Sequence, residues 1–185
     1  MGKFSLHDLE SSPAASRAAM EAVAKKFGFV PNLIRELAGA PVALRAYVTL
    51  GELLDETSFT PVERQIILAT ASAENGCEYC VAAHSAGLKM SGFADNQIDA
   101  IRDQRPLADP KLEALRILTA AVVGKRGRID EADLDAFLQA GYTREQVLEV
   151  LVGVAMKTLS NYTNHIAQTP LDKELQAFAW EPSHA

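Results

Sequence analysis

The stretch Ala73 to Ser85, AENGCEYCVAAHS, holds the only two cysteines of the chain, Cys77 and Cys80, with His84 close behind them. If the segment from Cys77 is helical, these three residues stand at i, i+3 and i+7, so both sulfurs and the imidazole share one face. Asn75-Gly76 just before them is a helix-ending pair, because glycine adopts the left-handed conformation at little cost. Cys77 then starts a new helix, where free amides and the helix dipole favour a thiolate over a thiol. Close thiols, a helix start and a neighbouring base are the parts needed for dithiol–disulfide chemistry. An attacking thiolate becomes a sulfenic acid, and its neighbour condenses with it to a disulfide.

Two other readings stand beside this one. Lone cysteines are often buried as small apolar residues, and a lone histidine is often simply hydrogen-bonded. Zinc is the third option, since Cys77, Cys80 and His84 are good ligands, but a structural site takes four. The sequence has no second CxxC and no HxxxH, which leaves only His165, Glu74 or a water to complete a zinc site. The absence of other cysteines, the CxxC spacing and the same-face histidine favour the redox reading. Around this centre, Glu74 is a candidate base, or else a solvated residue at a helix end. Tyr79 either lines a pocket or packs. His165, following Asn161, Tyr162 and Asn164, borders a pocket or a subunit interface. His7 and His184 lie in polar terminal segments and are expected to be solvated.

The elements that must position these residues all read as helix. Ser11 or Ser12 is placed to cap a first helix through PAASRAAMEAVAKKFG, ending at Gly28. A short helix begins near Pro31, and Pro41 opens PVALRAYVTLGELLDE, with Val42, Leu44, Tyr47, Val48, Leu50, Leu53 and Leu54 as its apolar face. Thr60-Pro61-Val62-Glu63 is a capping-box pattern for a helix running to about Glu74. The cysteine helix continues to about Met90. FADNQIDAIRD, DPKLEALRILTAAVVGKRG, DEADLDAFLQAG and TREQVLEVLVGVAMKTLSNYTNHIAQ follow, each with helical spacing. Val147, Leu148, Val150, Leu151, Val154, Ala155 and Leu159 form a stripe suited to the core or to an oligomer contact. Strand-like alternation is missing. The expectation is an all-α, single-domain helical bundle over 1–185, with an N-terminal arm at 1–12 and a polar tail at 180–185.

Composition narrows the class. A length of 185 residues suits one well-buried core. The net charge of -6 argues against nonspecific binding to nucleic acid or to an anionic membrane. The N-terminal residues MGKFSLHDLESS lack the apolar core of a secretory signal, and no apolar run reaches the ~18 residues of a membrane span. The expected location is cytoplasmic, where a permanent structural disulfide is out of place.

ERQIILATASAENGCEYCVAAHS resembles the core motif of the carboxymuconolactone decarboxylase-like superfamily, in its alkylhydroperoxidase D-type, peroxidase-related branch. FGFVPNLIRELAGAPVALRAYVTL and MKTLSNYTNHIAQTPLD resemble the same branch. The resemblance implies an all-helical fold assembled as a homotrimer or homohexamer. It also implies a CxxC-dependent thiol oxidoreductase that reduces a hydroperoxide or disulfide. No bound cofactor is implied, and reducing equivalents would come from an external dithiol such as a lipoylated protein. Cys77 and Cys80 fall on the redox pair, and His84 on the motif histidine of the proton relay. The second cysteine is the attacker in that branch and the first resolves. This opposes the helix-start argument for Cys77, and Cys80 is favoured if Cys77 and His84 relay its proton.

Two positions depart from the pattern. Gln65 stands where a relay glutamate is expected, twelve residues before Cys77, and Tyr79 stands in place of a histidine between the cysteines. Gln65 can orient His84 but cannot accept a proton as a carboxylate does. Glu63 is turned about 200° away from Gln65 on a helix, so Glu74 is the substitute candidate. Two alternatives remain: a redox-sensing or protective oligomer without significant turnover, and a decarboxylase of the superfamily's namesake type, which does not rely on a CxxC.

Overall fold

A computed structural model describes residues 4–182. Among them the regular elements are all helical: α1 (Ala14–Phe27), α2 (Asn32–Leu37), α3 (Pro41–Asp55), α4 (Pro61–Glu74), α5 (Glu78–Met90), α6 (Asp95–Arg102), α7 (Pro110–Gly124), α8 (Glu131–Gln139) and α9 (Arg144–Ala167), then a 3-10 helix over Lys173–Phe178. His184 lies outside the described residues.

The centre of the fold is α4, which packs on α5, α6, α7 and α9. Every residue from Ile66 to Ala73 is buried, so this helix is covered on all sides. Its start is fixed by the expected capping box, in which the Thr60 side chain accepts from the Glu63 amide at 3.3 Å and the Glu63 carboxylate accepts from the Thr60 amide at 2.8 Å. Glu63 also accepts from the Tyr142 hydroxyl at 2.8 Å, tying that start to the turn before α9. Glu63 is therefore committed to structure and takes no part in a relay.

Two apolar clusters meet along α4 and α5. One gathers Ile66, Ile67, Leu88, Ile98, Leu115, Leu118, Phe137 and Val150; the other gathers Met20, Leu33, Ile34, Leu37, Leu44, Tyr79 and both cysteines. The long helix α9 reaches this junction because it can lie very close to α4. A Cβ added to Gly153 would stand 2.6 Å from Ile67 Cγ2. That approach aims the next turn of α9, with Lys157, Ser160 and Asn161, at the start of α5.

Three expectations need correction. Neither Ser11 nor Ser12 caps α1, whose N-cap is Pro13 with no side-chain hydrogen bond. The Ser11 hydroxyl is bound to Asp8, and the Ser12 hydroxyl donates to the Leu9 carbonyl, so both serve the preceding turn. His7 is half-buried rather than solvated, with Nδ1 at 3.1 Å from the Ser11 carbonyl and Nε2 against Gly39. The expected apolar face of α3 is only partly covered, since Val42 is 69% and Leu53 46% exposed while Leu44 and Leu54 are buried.

Candidate functional site

The Asn75-Gly76 break takes the form of a Schellman motif. Gly76, at φ +62°, donates to the Ala73 carbonyl at 3.0 Å, and Cys77 donates its amide to the Ser72 carbonyl at 2.9 Å. Asn75 Nδ2 donates to Asn161 Oδ1 at 2.9 Å, which anchors the turn to α9. Cys77 is thus the N-cap of α5, and Tyr79, Cys80 and His84 follow within the helix. The two sulfurs meet one amide of α9, while the His84 ring, further along α5, meets Gln65 and Lys157. Both cysteines are free, and each is only 1% exposed.

Three side chains of α9 complete the site. Asn164 Nδ2 donates to Cys80 Sγ at 3.1 Å and stands 3.6 Å from Cys77 Sγ. Ser160 Oγ lies 3.8 Å from Cys80 Sγ. Lys157, 1% exposed, brings its Nζ to 2.8 Å from His84 Nε2. On the other side of the ring, His84 Nδ1 is 3.0 Å from Gln65 Oε1. The amide oxygen can only accept, so Nδ1 carries the proton and Nε2 accepts from the Lys157 ammonium. Gln65 therefore orients the histidine.

The electrostatics separate the two sulfurs. Burial opposes ionisation of Cys80, but the Cys77 thiol hydrogen bond, the Lys157 charge and Ser160 outweigh it and hold Cys80 well below the ordinary thiol range. Cys77 is pushed up, first by donating its hydrogen bond to Cys80, then by burial and by the charge beside it. The helix-start expectation that Cys77 is the more acidic thiol is thereby corrected. The Lys157 charge acts more strongly on Cys80 than on Cys77, and one thiol proton shared by a close pair stays on the sulfur that feels the cation less. Lys157 is raised despite burial because the Cys80 charge, with Tyr47 and Cys77, favours the ammonium. His84 is pushed well below its usual range by burial and then by Lys157, so it is a neutral imidazole.

Other sequence candidates sit farther out. Glu74 is half-buried at the end of α4; burial raises its pKa, Arg116 opposes this, and no hydrogen bond joins it to the cysteines among the described residues. Tyr79 does not stand in for a proton-relay histidine: its hydroxyl donates to Asp172 at 2.5 Å and stands 3.3 Å from the Leu33 amide. Asp172 also accepts from the Asn32 amide at 3.1 Å, so this cluster fastens α5 to α2 and to the segment after α9. A cleft of about 840 Å³ opens beside Cys77, lined also by Tyr79, Asn164, His165, Arg102 and Trp180. His165 borders this cleft and is exposed. Cys77 lines the cleft and Cys80 lies behind it. Among the described residues no group of three or more His, Cys, Asp or Glu is arranged to hold a metal ion.

Lys157 escaped the sequence reading, although a signal was there. It falls on the buried face of α9, shared with Val150, Gly153, Ser160, Asn161 and Asn164. A lysine on the inward stripe of a helix needs a buried partner.

The comparisons with known proteins agree with the all-helical fold. The Carboxymuconolactone decarboxylase family profile matches residues 41–118, which include α4, both cysteines and His84. No curated protein matches the chain by sequence. Among solved structures, the chain is similar to the alkylhydroperoxidase AhpD core of a peroxidase-related protein from Ralstonia eutropha, with 26% identity, 94% of each chain covered and a TM-score of 0.85. A peroxidase-related protein from Silicibacter sp. has the same fold at 19% identity, covering 94% of this chain and 92% of that one, with a TM-score of 0.76. So does the debrominase Bmp8, in complex with 2,3,4-tribromopyrrole, at 17% identity and 89% coverage of each chain, with a TM-score of 0.72. Profile and fold together make this chain similar to the carboxymuconolactone decarboxylase family and, in its fold, to alkylhydroperoxidase D-like proteins.

Proposed function

We propose that the protein is a thiol peroxidase that reduces a hydroperoxide at Cys80, closes a Cys77–Cys80 disulfide and is reset by an external dithiol. The observation that carries this reading is a pair of free, buried thiols that meet one amide, with Asn164 Nδ2 at 3.1 Å from Cys80 Sγ and 3.6 Å from Cys77 Sγ, where Cys77 lines a cleft.

The Cys80 thiolate attacks the terminal oxygen of the hydroperoxide. The S–O bond forms, the O–O bond breaks, and two electrons pass from sulfur to the peroxide. The departing alkoxide takes a proton from the Lys157 ammonium and leaves as an alcohol. General acid help of this kind is worth about 10²–10⁴-fold. Cys77 then attacks Cys80 sulfenic acid; its thiol proton joins the departing hydroxide, and water leaves as the disulfide closes. His84, held by Gln65, keeps Lys157 in place and offers Nε2 as a resting place for a proton in transit.

The cleft position of Cys77 suits it to meet the external dithiol, whose attack there would release Cys80 as the thiolate. A lipoyl group on a partner protein has the required chemistry and a slender reach. A reducing compartment, the cytoplasm, fits a disulfide that must be reopened each turn. Homotrimer or homohexamer assembly is supported by the exposed Leu148, Leu151, Tyr162 and Ile166 along α9.

The test is to count free thiols before and after one equivalent of tert-butyl hydroperoxide. Loss of both thiols, recovered with a dithiol, is expected. Two thiols still free after the peroxide is added, or full turnover by Cys80→Ser, would overturn the reading.

A further inference from the structure

Asn164 has one arm in use and one without a partner. Its Nδ2 donates to Cys80 Sγ at 3.1 Å and reaches Cys77 Sγ at 3.6 Å, while its Oδ1 is buried and has no donor among the described residues. The residue is 5% exposed and lines the cleft. The orientation of the amide follows from the charge, since a thiolate only accepts and selects the N–H end. The oxygen of the same amide is then left without a partner, at the cost of an unmade buried hydrogen bond.

An orphan acceptor beside a bound sulfur is complementary to a group that brings a donor to that sulfur. A hydroperoxide is such a group, because its terminal oxygen, the one the thiolate attacks, carries the O–H. We propose that Asn164 is the hydroperoxide-orienting residue of the site. Its N–H holds the Cys80 sulfur while its carbonyl oxygen accepts the terminal O–H of the substrate. This deepens the peroxidase reading and rests on it.

The step balances. The sulfur lone pair forms the S–O bond, the O–O bond breaks, the alkoxide takes its proton from Lys157, and the terminal oxygen keeps its own hydrogen. That hydrogen becomes the sulfenic O–H, so Oδ1 accepts from the same O–H before and after transfer. Oδ1 belongs to the same amide that holds Cys80 Sγ at 3.1 Å, so an oxidant that reaches this sulfur meets Oδ1 as well. The substrate class narrows accordingly to hydrogen peroxide and organic hydroperoxides. Dialkyl peroxides and disulfides lack the O–H.

The experiment compares two reactions of Cys80 in full-length protein. Oxidation by tert-butyl hydroperoxide uses both arms of Asn164, whereas alkylation by iodoacetamide requires the thiolate but offers no O–H to Oδ1. Both rates are measured in wild type, Asn164→Leu and Asn164→Ala, each above its own thiol titration so that ionisation is equal. The peroxide rate is expected to fall about 10–100-fold relative to the alkylation rate. A ratio within about threefold of wild type in a folded variant overturns the proposal, because the amide would then only support the sulfur. Should Asn164→Leu and Asn164→Ala fail to fold, the Asn164 side-chain carbonyl ¹³C resonance decides in a Cys77→Ser protein. It should move when Cys80 becomes the sulfenic acid, and an unmoved resonance overturns the proposal. If wild-type thiols ignore peroxide altogether, the peroxidase reading itself falls.

Discussion

Lys157 Nζ lies 2.8 Å from His84 Nε2, a buried ammonium donating to a buried imidazole. Such a contact requires a lone pair on Nε2, so the ring is neutral and its proton sits on Nδ1, facing Gln65. Burial and then the Lys157 charge hold His84 well below its ordinary range. Nitrogen-detected NMR should therefore show His84 in the Nδ1-protonated form at neutral pH, with its titration displaced well below the ordinary histidine range. A midpoint near the ordinary histidine value of about 6.5 would contradict this contact.

Lys157→Met should move Cys80 reactivity to higher pH. Removing the cation takes away an attraction that lowers the thiol, and the methionine fills most of the space. Alkylation of Cys80 at pH 7 is expected to slow about 10–100-fold, as the thiol rises from about 5 to roughly one or two units above the assay pH. Linkage gives a second readout. The Cys80 thiol is lowered on folding, so its contribution to stability is complete above the unfolded thiol range and fades as pH falls through the depressed value. Lys157 is raised, so its contribution holds below the unfolded lysine value and fades as pH rises through the raised one. The wild type should lose stability on acidification through the Cys80 range, as read from urea midpoints, and Lys157→Met should lose less of it.

Two glycines with equally short contacts should respond differently. A Cβ at Gly87 would stand 2.6 Å from Gln65 Oε1, and one at Gly153 would stand 2.6 Å from Ile67 Cγ2. Gln65 Oε1 is the end of a flexible side chain and can swing away, while Ile67 is locked in the core. Gly87→Ala should therefore cost little stability, because a helix gains about 1 kcal/mol from the exchange. It should nonetheless free His84 and slow peroxide turnover. Gly153→Ala should lower stability by about 1–3 kcal/mol through overpacking, less that same gain. Thermal melts and peroxide assays on both variants check the contrast; equal stability losses would contradict it.

Much of this was legible in the sequence where the cause was local. Thr60 with Glu63, and Gly28 and Gly76 as helix ends, depend on neighbours a few residues away, and they hold. Cys80 and His84 lie in one helix with Cys77 as its N-cap, so spacing alone assigned all three to α5. Ser11 and Ser12 misled because the turn closed by Asp8 competes for the same hydroxyls. Lys157 and Asn164 come from α9, far along the chain, and reach the sulfurs only because Gly153 lets α9 settle onto α4. The acidity of Cys80 over Cys77 depends on that tertiary contact, which no local pattern near the CxxC records.

Tyr79→Phe separates scaffold from chemistry. The Tyr79 hydroxyl donates to Asp172, which keeps its bond from the Asn32 amide. Loss of the hydroxyl should cost about 1–3 kcal/mol, since it leaves buried acceptor capacity unmet. The second-order rate with peroxide should stay within about threefold of wild type, well short of the roughly 10²-fold loss expected for a proton-transfer group. A larger fall at unchanged stability would move Tyr79 into the chemistry.

The division of labour between the sulfurs is tested most directly by mass spectrometry with a sulfenic-acid trap after one equivalent of hydrogen peroxide. Cys77→Ser should carry the trapped adduct on Cys80, formed at close to the wild-type oxidation rate. Cys80→Ser should give no adduct on Cys77 on that timescale. An adduct on Cys77 in Cys80→Ser at the wild-type rate, with Cys80 unreactive in Cys77→Ser, would contradict the assignment of Cys80 as the attacking thiolate.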